Sequence, residues 1–260
     1  MTRSPGVLFD ATGTLIETAA PVGEVYRRVA LEFEIDLPAW RLDDAFRRVL
    51  QHAPERGLEG STEAERRAAE FDWWAERIRQ TFQATDSTVR FADPGAFARA
   101  LFDAYRAPDA WRVRSGIRAL LDRLLSREVP MGVVSNFDHR LPEILEALDL
   151  NQFFISIEVP SHCGVTKPGA GIFEAAAATL DRTLSELVYV GDDAPTVLDA
   201  IRRLGLRVEV VDEETDWSDP RDPWLRIGEA SDAATLPPGN AAATTALQPL
   251  PPDQKGSRNS

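Results

Sequence analysis

The chain has 260 residues, 43% of them hydrophobic, and a formal net charge of -13 at pH 7. This length fits one large domain or a core domain with a smaller insert, and the apolar fraction suffices for a sizeable core. The negative charge disfavours nucleic acid and anionic membranes as partners, because both would be repelled. A small phosphorylated metabolite stays compatible, since it needs only a local cationic pocket.

The cysteine content and the hydropathy pattern predict a cytoplasmic protein. Cys163 is the single cysteine, so no internal disulfide can form, which is typical of a reducing compartment. Asp10 comes before an apolar signal-peptide segment could fit, and no run approaches the ~18 apolar residues of a membrane span. We therefore expect a soluble protein without a membrane partner, while its oligomeric state stays open.

Residues 17–110 are predicted to form an all-helical insert. Asp93 followed by Pro94 is typical of a helix start, and we expect no strand in this segment. The Trp73-Trp74 pair is more typical of helix packing than of a ligand platform. Apolar side chains recur at helical spacing in four groups, which include Val22, Val25, Val29 and Phe33; Leu42, Ala45, Phe46, Val49 and Leu50; Phe71, Trp74, Ile78 and Phe82; and Phe97, Leu101 and Tyr105.

The rest of the chain alternates short apolar strands with amphipathic helices, a pattern typical of an α/β fold with a doubly wound parallel, Rossmann-like sheet. One helix is expected to be capped by Ser115. The predicted strands are Gly6–Phe9, "MGVV" at 131–134, "FFISIEV" at 153–159, "LVYV" at 187–190 and "RVEVV" at 207–211.

This pattern divides the chain into three parts. Residues 1–16 and 111–236 are predicted to form the α/β core, and residues 17–110 a helical cap. Residues 237–260 include five prolines and show no periodicity, so they are predicted to be a disordered tail.

Polar side chains follow the predicted strands at several points. Asp10, Ser135 and the Asp192-Asp193 pair come directly after a strand, and Lys167 lies in a longer loop. Ligands of open α/β sheets bind outside the carboxyl ends of the strands, so these side chains are expected to share one crevice. All but two of the 29 basic residues are arginine, which makes a lysine at this place distinctive.

Four segments resemble the four motifs of the haloacid dehalogenase superfamily. They are "FDATGTL", "VVSNFD", "TKPGAGIF" and "YVGDD", and the resemblance covers residues 6 to about 210. The segment "SNFDHRL", and "WW" late in the insert, resemble the subgroup with a helical cap between motifs one and two. Most members of the superfamily are Mg²⁺-dependent phosphohydrolases, so the resemblance implies that activity.

The resemblance also implies roles for the motif residues. Asp10 would attack phosphorus and form an aspartyl phosphate that water then hydrolyses. The Mg²⁺ ion would lie between the carboxylates of Asp10 and Asp192 and the backbone carbonyl of Thr12. Asp193 would supply the second acid of motif four.

The remaining motif residues would hold the phosphoryl group. Ser135, Asn136 and nearby backbone N–H groups would bind one phosphoryl oxygen. Lys167 would neutralise another oxygen and keep Asp10 ionised.

Two positions depart from the family pattern. Thr12 stands where a second carboxylate serves as general acid, a role that typically contributes about 10²–10⁴-fold to the rate. Thr196 and Val197 occupy the common positions of the second acid in motif four, so Asp193 is the natural substitute and Asp199 an outside candidate. The departure at Thr12 predicts a slow phosphatase that works best on leaving groups that need no protonation.

Two alternatives stay open at this point. A non-catalytic phosphate-binding or regulatory protein would explain Thr12 and the altered motif four. A metal-independent 2-haloacid dehalogenase shares the "SN" of motif two but usually lacks the acids of "GDD". The three histidines have no metal-ligand spacing and are expected to be ordinary loop or surface residues; they are His52, His139 and His162.

Overall fold

The structure is a computed structural model that describes residues 4–212 and 214–217. The predicted tail at residues 237–260 lies outside the described residues. Within the described part of the chain, no helix is both long enough and apolar enough to cross a membrane.

Five parallel strands form the central sheet, in the order β5-β4-β1-β6-β7. The strands β1, β4 and β6 are buried along their whole length, as expected where helices cover both faces of a parallel sheet. The predicted α/β fold with a parallel sheet is therefore confirmed. The strands of the described residues are Gly6–Phe9 (β1), Ile16–Thr18 (β2), Trp111–Val113 (β3), Met131–Val134 (β4), Ser156–Glu158 (β5), Leu187–Gly191 (β6) and Arg207–Val210 (β7).

Helices flank this sheet and fill the segment between β2 and β3. Short 3₁₀ turns at residues 108–110, 151–153 and 184–186 complete the connections. The α-helices of the described residues are Val22–Glu32 (α1), Ala39–Gln51 (α2), Glu63–Thr85 (α3), Pro94–Ala104 (α4), Ile117–Ser126 (α5), Leu141–Ala147 (α6), Pro160–Cys163 (α7), Ala170–Thr179 (α8) and Pro195–Arg203 (α9).

The helices α1 to α4 pack on one another around a hydrophobic cluster of their own, which includes Tyr26, Leu42, Phe82 and Phe97. The start of α4 is as predicted, because the Asp93 side chain accepts a hydrogen bond from the Ala96 N–H and proline follows at the first helical position. The division of the chain into a core, a cap and a tail stays a prediction.

The strands β2 and β3 were not expected from the sequence. They pair antiparallel at the two ends of the helical segment, with Ile16 opposite Val113 and Thr18 opposite Trp111. Each strand has three residues, which is too short for an alternating pattern to emerge. The pairing holds the entrance and the exit of the helical segment side by side, close to the carboxyl end of β1.

The expected cap of α5 is wrong. Gly116, not Ser115, is the residue before the helix, and no side chain accepts a hydrogen bond from the first turn. Gly116 adopts a φ of 83°, a left-handed conformation that glycine reaches without steric cost. The turn therefore depends on glycine, and Ser115 lies one position too early.

Candidate active site

The polar residues that follow β1, β4 and β6 lie at one edge of the sheet. The register places Phe9 beside both Val133 and Val190, so Asp10, Ser135 and the residues after Gly191 emerge next to one another. Because β1 is the central strand, Asp10 lies in the middle of this edge. The crevice expected from the strand ends is present.

Lys167 joins two of these carboxylates. Its Nζ lies 3.0 Å from Asp10 Oδ1 and 3.0 Å from Asp193 Oδ1. It also donates a hydrogen bond of 2.5 Å to the hydroxyl of Tyr189, which in turn donates to Asp193. The Lys167 side chain is only 1% exposed, so its charge is compensated by these groups rather than by water.

Burial and the charge of Lys167 have opposite effects on the pKa of the Asp10 carboxyl. Burial raises the pKa of its carboxyl, and the charge of Lys167 works against that rise. The backbone N–H of Ala11 also donates to Asp10 Oδ1 at 2.7 Å, which favours the ionised form. Lys167 is therefore the main group that opposes the effect of burial and favours the ionised form of this carboxyl.

Tyr189 belongs to this cluster, although its place in an apolar strand gave no sign of it. Burial, followed by the charges of Asp10 and Asp193, holds the pKa of its hydroxyl well above the ordinary value. The phenol therefore keeps its proton and can donate it in a hydrogen bond to Asp193. Its contacts fix the positions of Lys167 and Asp193 relative to each other.

Asp192 has other contacts than the members of this cluster. Its carboxylate accepts a hydrogen bond from Thr14 Oγ1 at 3.3 Å and lines a separate cavity of about 480 Å³. Gly13 has a φ of +82°, and a Cβ there would lie 2.0 Å from Asp192 Oδ2, so the turn after β1 must be glycine. Burial, and then the charge of Asp10, raises the pKa of Asp192.

The two acids of motif four thus have different surroundings. Asp193 is paired with Lys167, whereas no lysine or arginine pairs with Asp192 in the part of the chain that the structure describes. Asp199 is exposed on α9 and pairs with Arg202 at 2.7 Å. Asp193 as a metal ligand stays a prediction, and its carboxylate here is engaged by Lys167 and Tyr189.

Ser135 and Asn136 lie beside the lysine. The Asn136 side chain accepts a hydrogen bond from the Lys167 backbone N–H at 2.7 Å and donates one to the Lys167 carbonyl at 3.0 Å. Ser135 Oγ accepts from the Phe137 N–H at 3.3 Å. The phosphate-binding roles of these residues stay predictions; the contacts of Asn136 position the loop that carries Lys167.

A cavity of about 390 Å³ lies between this edge and the helices α1 to α4. Its floor is polar and consists of Asp10, Thr12, Ser135, Asn136, Lys167 and Asp193. Its wall is mostly aromatic and includes Tyr26, Phe46, Trp74, Phe102, Tyr105 and Trp111. A volume of this size fits a small molecule.

Trp74 was expected to serve helix packing, but its ring lines the cavity. Its indole N–H donates a hydrogen bond to Asp138 Oδ2 at 2.9 Å. Asp138 is held by Arg140, which donates to it from Nε at 2.7 Å and from a terminal nitrogen at 2.6 Å. The partners are 64 residues apart in the chain, so no local pattern could indicate the contact.

His139 is also not an ordinary surface residue. Its Nδ1 lies 2.8 Å from Glu70 Oε2, and its backbone N–H donates to the same oxygen at 3.0 Å. Glu70 is fully buried on α3, and the histidine side chain is 12% exposed. Together with Trp74, this contact ties α3 to the segment after β4.

We expect that replacing Asp138 by Asn destabilises the protein at neutral pH by about 3–5 kcal/mol, because it leaves a buried guanidinium without its carboxylate. Burial raises the pKa of Asp138, but the hydrogen bonds and charge of Arg140 outweigh burial and hold it below the ordinary value. A depressed pKa contributes stability above the unfolded value, and this contribution is lost as pH falls through the folded value.

The measurement is urea unfolding of the wild type and Asp138→Asn at pH 7 and at about pH 3, with Asp44→Asn as control. Asp44 forms an exposed ion pair with Arg48, so its loss should change little. The difference in unfolding free energy between the wild type and Asp138→Asn should be smaller at about pH 3 than at pH 7. Equal effects of the two substitutions at pH 7 would contradict this role.

Among the described residues, no group of three or more His, Cys, Asp or Glu side chains is arranged to hold a metal ion. A carboxylate pair can nevertheless suit Mg²⁺, which is usually bound through one or two carboxylates and keeps several waters. Asp10 and Asp192 are such a pair, since the charge of Asp10 acts on Asp192, which lies against the turn at Gly13. Among the described residues, no lysine or arginine pairs with Asp192. Their oxygen donors fit a hard cation.

Comparisons with known proteins agree with this arrangement. A family model for haloacid dehalogenase-like hydrolases matches residues 5–205. Haloacid dehalogenase-like hydrolase domain-containing protein 3 of Xenopus laevis is 27% identical over 225 residues, which cover 83% of this chain and 89% of that protein.

Two solved structures share the fold at lower identity. The HAD-hydrolase YfnB of Bacillus subtilis, solved with magnesium, has a TM-score of 0.64 and 16% identity, covering 83% of this chain and 92% of that one. The L-2-haloacid dehalogenase of Xanthobacter autotrophicus has a TM-score of 0.58 and 18% identity, covering 80% and 78%. The family model covers most of the chain, and the chain therefore belongs to the haloacid dehalogenase-like hydrolase family.

Proposed function

We propose that this hydrolase is a Mg²⁺-dependent phosphatase that acts on a small phosphorylated metabolite in the cytoplasm. The observation that carries the proposal is the pairing of Asp10 with Lys167 at the floor of a cavity, 3.0 Å apart and almost out of contact with water. A nucleophilic carboxylate beside a compact cation suits the transfer of a charged phosphoryl group.

The chain's own residues have the following tasks in this proposal. Asp10 attacks phosphorus, the leaving-group oxygen departs, and water then hydrolyses the aspartyl phosphate. Lys167 neutralises charge on a phosphoryl oxygen, and Ser135 with nearby backbone N–H groups binds another. Tyr189, Asp193 and Asn136 hold the lysine in place.

The carboxylates of Asp10 and Asp192 and the Thr12 carbonyl would hold the Mg²⁺ ion. When bound, the ion supplies positive charge to a phosphoryl oxygen. A Mg²⁺ ion is also present in the Bacillus subtilis structure that shares this fold. Asp192, next to the turn at Gly13 and without a cationic partner in the described residues, is the ligand whose loss should matter most for metal affinity.

Replacing Asp192 by Ala is expected to raise the Mg²⁺ concentration needed for half-maximal activity by at least about tenfold, because one of two carboxylate ligands is lost. The measurement is a Mg²⁺ titration of p-nitrophenyl phosphate hydrolysis. Asp199→Ala is the matched control, since that exposed acid should leave the titration unchanged. An unchanged titration for Asp192→Ala would place the metal elsewhere, and hydrolysis that survives chelation would contradict the dependence on Mg²⁺.

Thr12 faces the cavity, but a threonine hydroxyl is too weak an acid to protonate a leaving alkoxide. We expect Thr12→Asp to raise the turnover of alkyl phosphates by about 10–100-fold and that of aryl phosphates much less, since phenolates leave without protonation. Steady-state rates on both classes, with Thr12→Asn as a control of similar shape, test this. An equal or negative effect on both classes would rule out the role given to this position.

A further inference from the structure

The wall of the 390 Å³ cavity differs sharply from its floor. The helices contribute rings and aliphatic side chains to it, among them Tyr26, Phe46, Ile78, Leu101 and Phe102. Tyr26, Ile78 and Leu101 belong to the hydrophobic cluster of the helices α1 to α4. Phe46 packs against that cluster, so the wall is continuous with its packed interior. A ligand body that fills this space meets hydrocarbon on most sides.

Most of the charged groups that line the same space are engaged in ion pairs. Arg140 pairs with Asp138, and Lys167 pairs with Asp10 and Asp193. Arg56 donates to the backbone carbonyl of Asn136, which places its guanidinium beside the polar floor. Its Nε and the hydroxyl of Tyr105 are the two buried polar atoms of the described lining that have no hydrogen-bond partner. In the described residues, therefore, these two isolated donors stand on the wall, but no free carboxylate or amide does, so the several hydroxyls of a sugar would not all find partners there.

A sugar body would be costly in such a place. Each hydroxyl offers one donor and two acceptor positions, and a hydroxyl buried without partners loses its hydrogen bonds to water. An apolar ring gains free energy from the same burial. The wall thus selects against polyhydroxylated bodies and in favour of hydrocarbon ones.

We propose that the substrate is a phosphate monoester with an apolar, ring-bearing body rather than a phosphorylated sugar. This inference rests on the phosphatase proposed above and names its substrate class. Thr12 gives independent support, because an aromatic alcohol bound directly to phosphate leaves as a phenolate and needs no general acid. The wall and the missing acid therefore favour the same kind of ester.

Binding of two phosphonates in the presence of Mg²⁺, measured by calorimetry, tests the proposal without turnover. Benzylphosphonate and 2,3-dihydroxypropylphosphonate have the same anionic group, but one carries a ring and the other two hydroxyls. We expect benzylphosphonate to bind about thirtyfold more tightly, the effect of burying one phenyl ring. Equal affinities, tighter binding of the diol, or no binding of either would overturn the substrate class.

A matched pair of variants locates the effect in the wall. Phe46 lines the cavity, whereas Phe33, a partly buried phenylalanine that packs against the same cluster, is not part of its lining. Phe46→Ala should lower the preference for benzylphosphonate about fivefold, and Phe33→Ala should leave it unchanged. Equal effects of the two variants would assign the preference to general destabilisation and contradict the proposal.

Acetyl phosphate separates this inference from the phosphatase itself, because its body is too small to use the wall. Hydrolysis of acetyl phosphate that depends on Asp10, combined with equal phosphonate affinities, would overturn the substrate class and leave the phosphatase standing. Absence of that hydrolysis would overturn the phosphatase, and with it the claim that the ring-bearing body belongs to a substrate.

Discussion

Replacing Asp10 by Asn is expected to reduce phosphatase activity by about 10⁴-fold or more, because an amide cannot attack phosphorus as a carboxylate does. The substitution keeps the shape of the side chain, and Asp193 still compensates the charge of Lys167. Since burial raises the pKa of Asp10, the wild type already bears a cost for keeping this charge. The folded state should therefore be at least as stable in the variant.

The measurement is p-nitrophenyl phosphate hydrolysis with and without Mg²⁺, together with thermal unfolding of both proteins. A large loss of activity at unchanged or higher Tm assigns the loss to chemistry. Residual activity within about tenfold of the wild type would show that Asp10 is not the nucleophile.

Replacing Lys167 by Met should be the next most damaging change. It removes the cation beside the transferred phosphoryl group, for which a loss of about 10²–10³-fold is expected. It also leaves the carboxylates of Asp10 and Asp193 buried without their shared partner, so the protein should lose about 3–5 kcal/mol of stability at pH 7. Activity and stability should fall together.

A double variant separates these two effects. Adding Asp193→Asn to Lys167→Met removes one uncompensated charge and should restore much of the stability. Activity should stay low, because the phosphoryl group still lacks its cation. Recovery of activity along with stability would mean that Lys167 only maintains the fold.

The residues that sequence patterns could locate are those tied to strand ends. Asp10 and Ser135 follow short apolar strands whose bounds match the predicted ones, and parallel pairing alone brings them together. Lys167 does not follow a strand directly, so the strand pattern alone does not locate it at the site. It was singled out because nearly all other basic residues of the chain are arginine. Local pattern and general topology sufficed for these positions.

Other features of the site depend on contacts between distant parts of the chain. From the sequence, Tyr189 is a core residue of the apolar strand β6. In the structure its hydroxyl accepts a hydrogen bond from Lys167, which is 22 residues away in the chain. The contact between His139 and Glu70 joins residues 69 positions apart. Propensity and periodicity contain no information about which side chains meet over such separations.

Asp192 and Asp193 show a further limit of sequence reasoning. The two residues are adjacent and chemically identical, so residue type and local pattern do not distinguish them, and only the resemblance to the family assigned them different roles. In the structure one carboxylate accepts from Thr14 beside the Gly13 turn, and the other pairs with the lysine. The backbone direction at the end of β6 determines this division of roles.

The central claim is that Asp10 becomes covalently phosphorylated, and single-turnover hydrolysis in heavy-oxygen water tests it most directly. With enzyme in excess over a phosphomonoester, mass spectrometry of the peptide that contains Asp10 reads where the label enters. If water attacks the phosphorus of the aspartyl phosphate, the heavy oxygen enters the released phosphate and Asp10 keeps its own oxygens. The decisive signal is therefore a transient gain of one phosphoryl mass on the Asp10 peptide after acid quenching. We predict that this mass appears on the Asp10 peptide and is absent in Asp10→Asn; labelled phosphate released at full rate without any phosphorylated Asp10 peptide would contradict the account.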